Sequence, residues 1–216
     1  MRAVVRRDAK ALHRGAAIPH GAGCMEPCSL KLKDTQSERD LRGIAIDRVG
    51  VTELRYPMQI RDKARAIQHT IANVALTVDL PHHFKGTHMS RFIEVLNEFG
   101  PELHVDNIGR LLKDLARRLD AETAHVEFEF PFFIEKKAPV TGSAGMMDYT
   151  AKFSASLAKG KVDFVVTVGV AVTTLCPCSK AISARGAHNQ RGQVTFAVRF
   201  AKPIWIEDLI RLVEES

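Results

Sequence analysis

Apolar residues along this chain change their period several times, and each change marks an element. Residues 51–61 and 64–80 read as strands, the second longer and ending at Pro81. Residues 87–99 shift to helical spacing through Met89, Phe92, Ile93 and Leu96, with Thr87 or Ser90 as cap and Gly100-Pro101 as stop. Residues 105–119 repeat that spacing through Ile108, Leu111, Leu112, Leu115 and Leu119. Residues 125–135 alternate Val126, Phe128 and Phe130 with glutamates, a half-buried strand whose regular part is expected to end at Pro131. A second round opens near Val140. It holds strands at 149–157 and 161–175 joined by a Lys159-Gly160 turn, a strand at 193–200 and an amphipathic helix at 204–213. The first round runs strand, strand, helix, helix, strand. The second starts with two strands, inserts the segment around Cys176 and His188, adds a strand and one helix, and so lacks a final helix and strand. Residues 34–139 are therefore expected to form one module and 140–216 a second, incomplete one.

Composition narrows the class. With 45% hydrophobic residues, 216 residues bury a proper core. No apolar run reaches the length of a membrane span. Four unevenly placed cysteines do not make a secreted disulfide framework, so a reducing cytoplasm is the expected compartment. A net charge of +6 suits a phosphate-bearing partner without separating nucleotide from nucleic acid. Residues 1–33 are basic and aperiodic and lack the apolar stretch of a secretory signal. They read as a disordered arm or a start assigned too early, with Cys24 and Cys28 as plain thiols.

Candidate chemistry lies late in the chain. Leu175-Cys176-Pro177-Cys178-Ser179-Lys180, followed by Arg185-Gly186-Ala187-His188-Asn189-Gln190-Arg191, gathers two thiols, an imidazole and three cations. Strand residues two apart face one side, so Cys176 and Cys178 share a site if the backbone stays extended through Pro177. Ser179 then caps a short turn, and a loop brings His188 back. Thiolate and neutral imidazole are zinc ligands, and an open coordination position activates water. Lys180, Arg185 and Arg191 suit phosphate oxygens. The same pattern also fits a buried thiol and a surface histidine in a solvated basic loop, and spacing alone does not choose. Lys85-Gly86-Thr87-His88-Met89-Ser90-Arg91 opens a helix and reads equally as an anion site or as simple capping. His82 and His83 are adjacent and point apart, which argues against shared ligation, and His69 and the phenylalanines read as packing.

Four sequence blocks carry a resemblance. Thr173 to Lys180 with Gly186 to Arg191, Ile46-Asp47-Arg48-Val49-Gly50-Val51, and Lys85 to Phe92 resemble the type IB GTP cyclohydrolases over roughly residues 33–216. The resemblance implies an α+β tunnelling fold, with two antiparallel-sheet-plus-helix modules per chain and a homotetramer with interfacial sites. It implies zinc or manganese held by a cysteine, a histidine and a glutamate, the first two matching Cys176 and His188, with Cys178 a neighbour and not a ligand. It places the glutamate ligand, and another glutamate that grips guanine, after the final helix and so beyond Ser216. The chain is then a fragment or has lost chemistry, and little or no turnover is expected from it alone.

The implied reaction takes GTP and water to 7,8-dihydroneopterin triphosphate and formate, the entry to tetrahydrofolate-type pterins. Lys180, Arg185 and Arg191 are the expected triphosphate contacts, with His88 and Arg91 reaching in from a neighbouring subunit. Two other readings stay open at this point. One is a nitrile reductase of queuosine synthesis, with a cysteine nucleophile and a nicotinamide cofactor. The other is a basic metal-binding module on nucleic acid, against which stands the lack of a helix-turn-helix or aromatic stacking platform.

Overall fold

The computed structural model describes residues 2–3, 45–82, 84, 86–200 and 204–216. Most of the basic arm, with Cys24 and Cys28, lies outside the described residues, as do His83 and Lys85. The elements run β1 Arg2–Ala3, β2 Ile46–Asp62, β3 Ala66–Leu80, α1 Met89–Phe99, β4 Glu102–Leu103 and α2 Val105–Leu119. They continue with β5 Ala124–Lys137, β6 Ala144–Ala158, β7 Lys161–Leu175, α3 Pro177–Ile182, β8 Asn189–Val198 and α4 Ile206–Glu214. One sheet in the order β1-β2-β3-β5-β6-β7-β8 joins both halves of the chain, antiparallel throughout, with β4 parallel to β2. The α+β class that the resemblance implies is the observed one.

Long alternating strands fold back where turn chemistry permits. Between β6 and β7, Ala158 faces Lys161 across Lys159 and Gly160, whose φ values are both positive (50° and 73°). Such a two-residue turn matches the right-handed twist of the strands it joins. Between β2 and β3, the buried Asp62 carboxylate accepts the Ala64 and Arg65 backbone N–H groups at 2.7 and 2.8 Å, and also the Gln68 amide. Gln68 in turn exchanges hydrogen bonds with the Phe133 backbone, so this pair ties the hairpin to β5.

The apolar stripes of α1, α2 and α4 share one core with the inward face of the strands. Phe92, Leu96, Ile108, Leu111, Leu112 and Leu115 meet Leu76, Phe128, Phe130 and Val168 there. The Ile46 to Val51 block has a physical reason at Gly50, which pairs with Thr77 between two irregularities of β2. A Cβ on Gly50 would stand 2.0 Å from the Leu76 carbonyl oxygen.

Two expectations need correcting. Pro131 does not end β5, which pairs with β6 through to Lys137 opposite Ala144. The ladder to β3 has already stopped at Glu129 opposite Asn73, so the missing proline N–H costs no ladder bond there. The first helix begins at Met89 with His88 at its cap position, and neither Thr87 nor Ser90 takes that place.

Candidate active site

β7 is rich in Val and Thr and holds its pairing with β8 up to Leu175 opposite Asn189. Pro177 then enters at the first position of α3, where its fixed φ suits a helix start. Cys176 becomes the helix cap. Its Sγ accepts the Ser179 N–H at 3.4 Å, and its carbonyl accepts the Lys180 N–H at 3.0 Å. The backbone therefore does not stay extended through Pro177, and Cys176 and Cys178 do not share a strand face. Cys176 is half-buried and Cys178 is exposed.

The hairpin register supplies what the loop argument left open. One step beyond the Leu175–Asn189 pair, the Cys176 N–H donates to the His188 carbonyl at 3.1 Å. Thiol and imidazole thus start from partnered backbone positions at the tip of β7 and β8. The His188 ring Nδ1 lies 3.3 Å from the Asn189 carbonyl oxygen. Lys180, Arg185 and Arg191 are all exposed within the same tip and have no side-chain ion partner among the described residues. Gly186, at φ 83°, turns the connection back toward β8.

Beside the tip runs a groove of about 650 Å³ lined by Thr173, Thr174, Val194, Phe196, Leu212 and Glu214. Glu214 lines it from α4. The Tyr149 hydroxyl donates to Glu214 Oε1 at 2.6 Å, and Lys136 pairs with Oε2. Burial alone would raise the Glu214 carboxyl, but the bonds from Lys136 and Tyr149 outweigh it and hold the group below its ordinary value. Burial pushes the Tyr149 hydroxyl up, and its bond to the Glu214 carboxylate pushes it further. Nothing in the sequence signalled this clamp, because its members lie on β5, β6 and α4 and share no motif.

His88 and Arg91 stand elsewhere. The Arg91 guanidinium reaches the Arg118 carbonyl at 3.3 Å, at the edge of the sheet where β5 begins. Cys176 follows the opposite end of β7, roughly 45 Å of strand away. Within one chain these residues and the Cys176–His188 tip do not form one site. Among the described residues no three of His, Cys, Asp and Glu stand close enough together to hold a metal ion. Cys176 and His188 fit such an ion as two donors of suitable chemistry, a thiolate and an imidazole.

Residues 32–216 match the family model described as type I GTP cyclohydrolase folE2. The GTP cyclohydrolase FolE2 of Akkermansia muciniphila is 61% identical over 187 residues, covering 85% of this chain and 71% of that protein. The GTP cyclohydrolase FolE2 of Syntrophotalea carbinolica is 53% identical over 184 residues, covering 85% of this chain and 69% of that protein. Among solved structures, the uricase of Arthrobacter globiformis aligns over 77% of this chain and 66% of its own at 11% identity. Its TM-score of 0.48 is too low to bear on function. Among the described residues no helix is long and apolar enough to cross a membrane.

Proposed function

The chain belongs to the type I GTP cyclohydrolase FolE2 family, and from that premise we propose that it serves the conversion of GTP and water to 7,8-dihydroneopterin triphosphate and formate. The reductase and nucleic-acid readings give way to this one. The observation that carries the placement of the chemistry is the Cys176–His188 backbone pair at the β7–β8 tip. Cys176 and His188 hold a divalent ion there, zinc or manganese, with Cys178 beside them and a glutamate from the family's later segment as third ligand. When bound, such an ion lowers the pKa of water and supplies the nucleophile for C8 of guanine.

The chain's own residues do the rest of the work at this tip. Lys180, Arg185 and Arg191, without a side-chain ion partner among the described residues, are the candidates for holding the triphosphate, and guanidinium groups bind phosphate oxygens in pairs. Cys176, as cap of α3, is held by two backbone bonds while its thiol stays half-buried. That keeps the ligand fixed and leaves the substrate side open to solvent. His88 and Arg91 join the site only from a second copy, which accords with a homotetramer in which the free edge of β8 is covered. The cytoplasm is the compartment that keeps Cys176 and Cys178 reduced.

The reading is tested by formate and neopterin release from GTP with added zinc or manganese. A protein extended by the corresponding later segment of the Akkermansia relative should turn over GTP and bind metal tightly. An inactive but folded extended protein would overturn the reading. Sedimentation of a stable monomer at micromolar concentration would overturn the tetramer.

A further inference from the structure

Two thiols sit one residue apart where β7 gives way to α3, and the metal reading uses only one of them. Cys176 is half-buried at the cap position, and Cys178 is exposed at the second helical position. Both are free, and no other cysteine lies among the described residues. Because Pro177 already belongs to α3, the two Cα atoms stand about 5.4 Å apart, the spacing that helical rise and radius give to residues i and i+2. A disulfide spans Cα separations of roughly 4.4–6.8 Å. Direction favours contact as well, since the Cys176 Sγ folds over the first turn of α3 to accept the Ser179 N–H at 3.4 Å. What holds this turn is slight. α3 buries none of its residues. Apart from the Sγ bond, the Cys176 carbonyl accepts the Lys180 N–H at 3.0 Å. Closing a bridge costs those two bonds and no buried apolar contact. On the strand side, the bond from the Cys176 N–H to the His188 carbonyl stays in place.

We propose that Cys176 and Cys178 form a peroxide-driven thiol–disulfide switch, which closes to a bridge and withdraws the Cys176 thiolate from the tip. Cys178 faces solvent and reacts first. Its sulfur attacks one oxygen of hydrogen peroxide, the O–O bond breaks, water leaves and Cys178 becomes a sulfenic acid. The Cys176 sulfur then attacks the Cys178 sulfur. The S–S bond forms, the S–O bond breaks, and the hydroxyl leaves with the Cys176 proton as water. Two thiols and one peroxide thus give one disulfide and two waters, each sulfur giving up one electron and the peroxide taking both. Side chains two apart on a helix do not face each other, so closure unwinds the first turn of α3 and leaves the bridge strained. Strained and exposed disulfides are the easily reduced, regulatory ones, and disulfides of the cytoplasm have that transient character. Loss of the metal on closure rests on Cys176 as a donor, whereas the bridge itself does not.

The test treats the metal-free 216-residue protein with hydrogen peroxide, blocks remaining thiols with an alkylating reagent, digests without reduction and weighs the peptides. The peptide that carries Cys176 and Cys178 should lose the mass of two hydrogens, escape alkylation and regain both thiols with dithiothreitol. Cys178→Ser should give no bridged peptide, and continued peroxide should carry its Cys176 to a sulfinic acid that dithiothreitol does not reverse. In zinc-loaded protein, peroxide should release the metal and dithiothreitol should restore its binding. Oxygen added to either cysteine without a bridge overturns the switch, and so does a bridge to Cys24, Cys28 or a second copy in its place. A bridge that forms with zinc fully retained overturns the effect on the metal, and sets that failure apart from failure of the bridge.

Discussion

Around Leu112 and Phe128 no side-chain surface reaches water, whereas from residue 175 to 191 every residue except Cys176, Ser179 and Ala187 is exposed. The two regions are held in place by different means. In the first, the stripe of α2 and the inward face of β3 and β5 fix one another through many apolar contacts, each small and together large. In the second there is almost no packing. Position comes from the strand register that sets Cys176 against His188, from Pro177 at a helix start, and from one cap bond. A side chain at the tip is therefore replaceable without loss of the fold, and one in the covered region is not.

That contrast breaks most visibly through the core. Leu112→Ala should cost roughly 3 kcal/mol, because the tightly filled site cannot collapse onto the cavity. Gly50→Ala should cost about as much as severe overpacking, near 3 kcal/mol, since the new Cβ meets the Leu76 backbone and not a movable side chain. Urea unfolding checks both, and an unchanged midpoint in either would show that the covered region is not the rigid one.

An intermediate effect is expected at the Glu214 clamp. Its folded carboxyl is held below the ordinary value, so its contribution is complete above the unfolded pKa and is lost as pH falls through the folded one. Glu214→Gln should lower stability by about 1 kcal/mol near neutral pH. The gap to the parent protein should narrow as pH falls below the ordinary glutamate range. Thermal melts across that range decide it, and a gap that persists in acid would mean the variant disturbs packing instead.

The smallest effect on stability belongs to the tip. Lys180→Ala, Arg185→Ala and Arg191→Ala should each stay within about 0.5 kcal/mol of the parent. Each should nevertheless weaken GTP binding and flatten its dependence on salt, as expected for charges that meet phosphate. Calorimetry at two salt concentrations tests this, and GTP affinity unchanged in all three would remove them from the substrate site.

Much of this was legible in residue order, for reasons the elements make plain. β7 and α2 carry unbroken periods, and the Lys159-Gly160 turn needs two left-handed residues, so their positions followed directly. Cys176 and His188 stood out in the sequence because thiol, imidazole and clustered cations in one segment form a chemical signal independent of fold, and the hairpin register partners their backbones. The local path at Pro177 was misread, since a proline after a strand is compatible with further extension or with a helix start. Only the cap bond to Ser179 separates the two. Pro131 was misread because the side of β5 on which its missing N–H falls depends on where the β3 ladder stops. The Tyr149–Glu214 clamp was invisible for a similar reason, as partners far apart in sequence meet only once the sheet and α4 are assembled.

The central claim is that Cys176 and His188 hold the metal at a tip whose fold does not need them. It is tested most directly by metal content and thermal midpoint measured together in Cys176→Ala, His188→Ala and Cys178→Ala after loading with zinc. The first two should lose the metal and keep the midpoint of the metal-free parent, and the third should keep most of the metal. Full metal retention in Cys176→Ala would contradict the assignment.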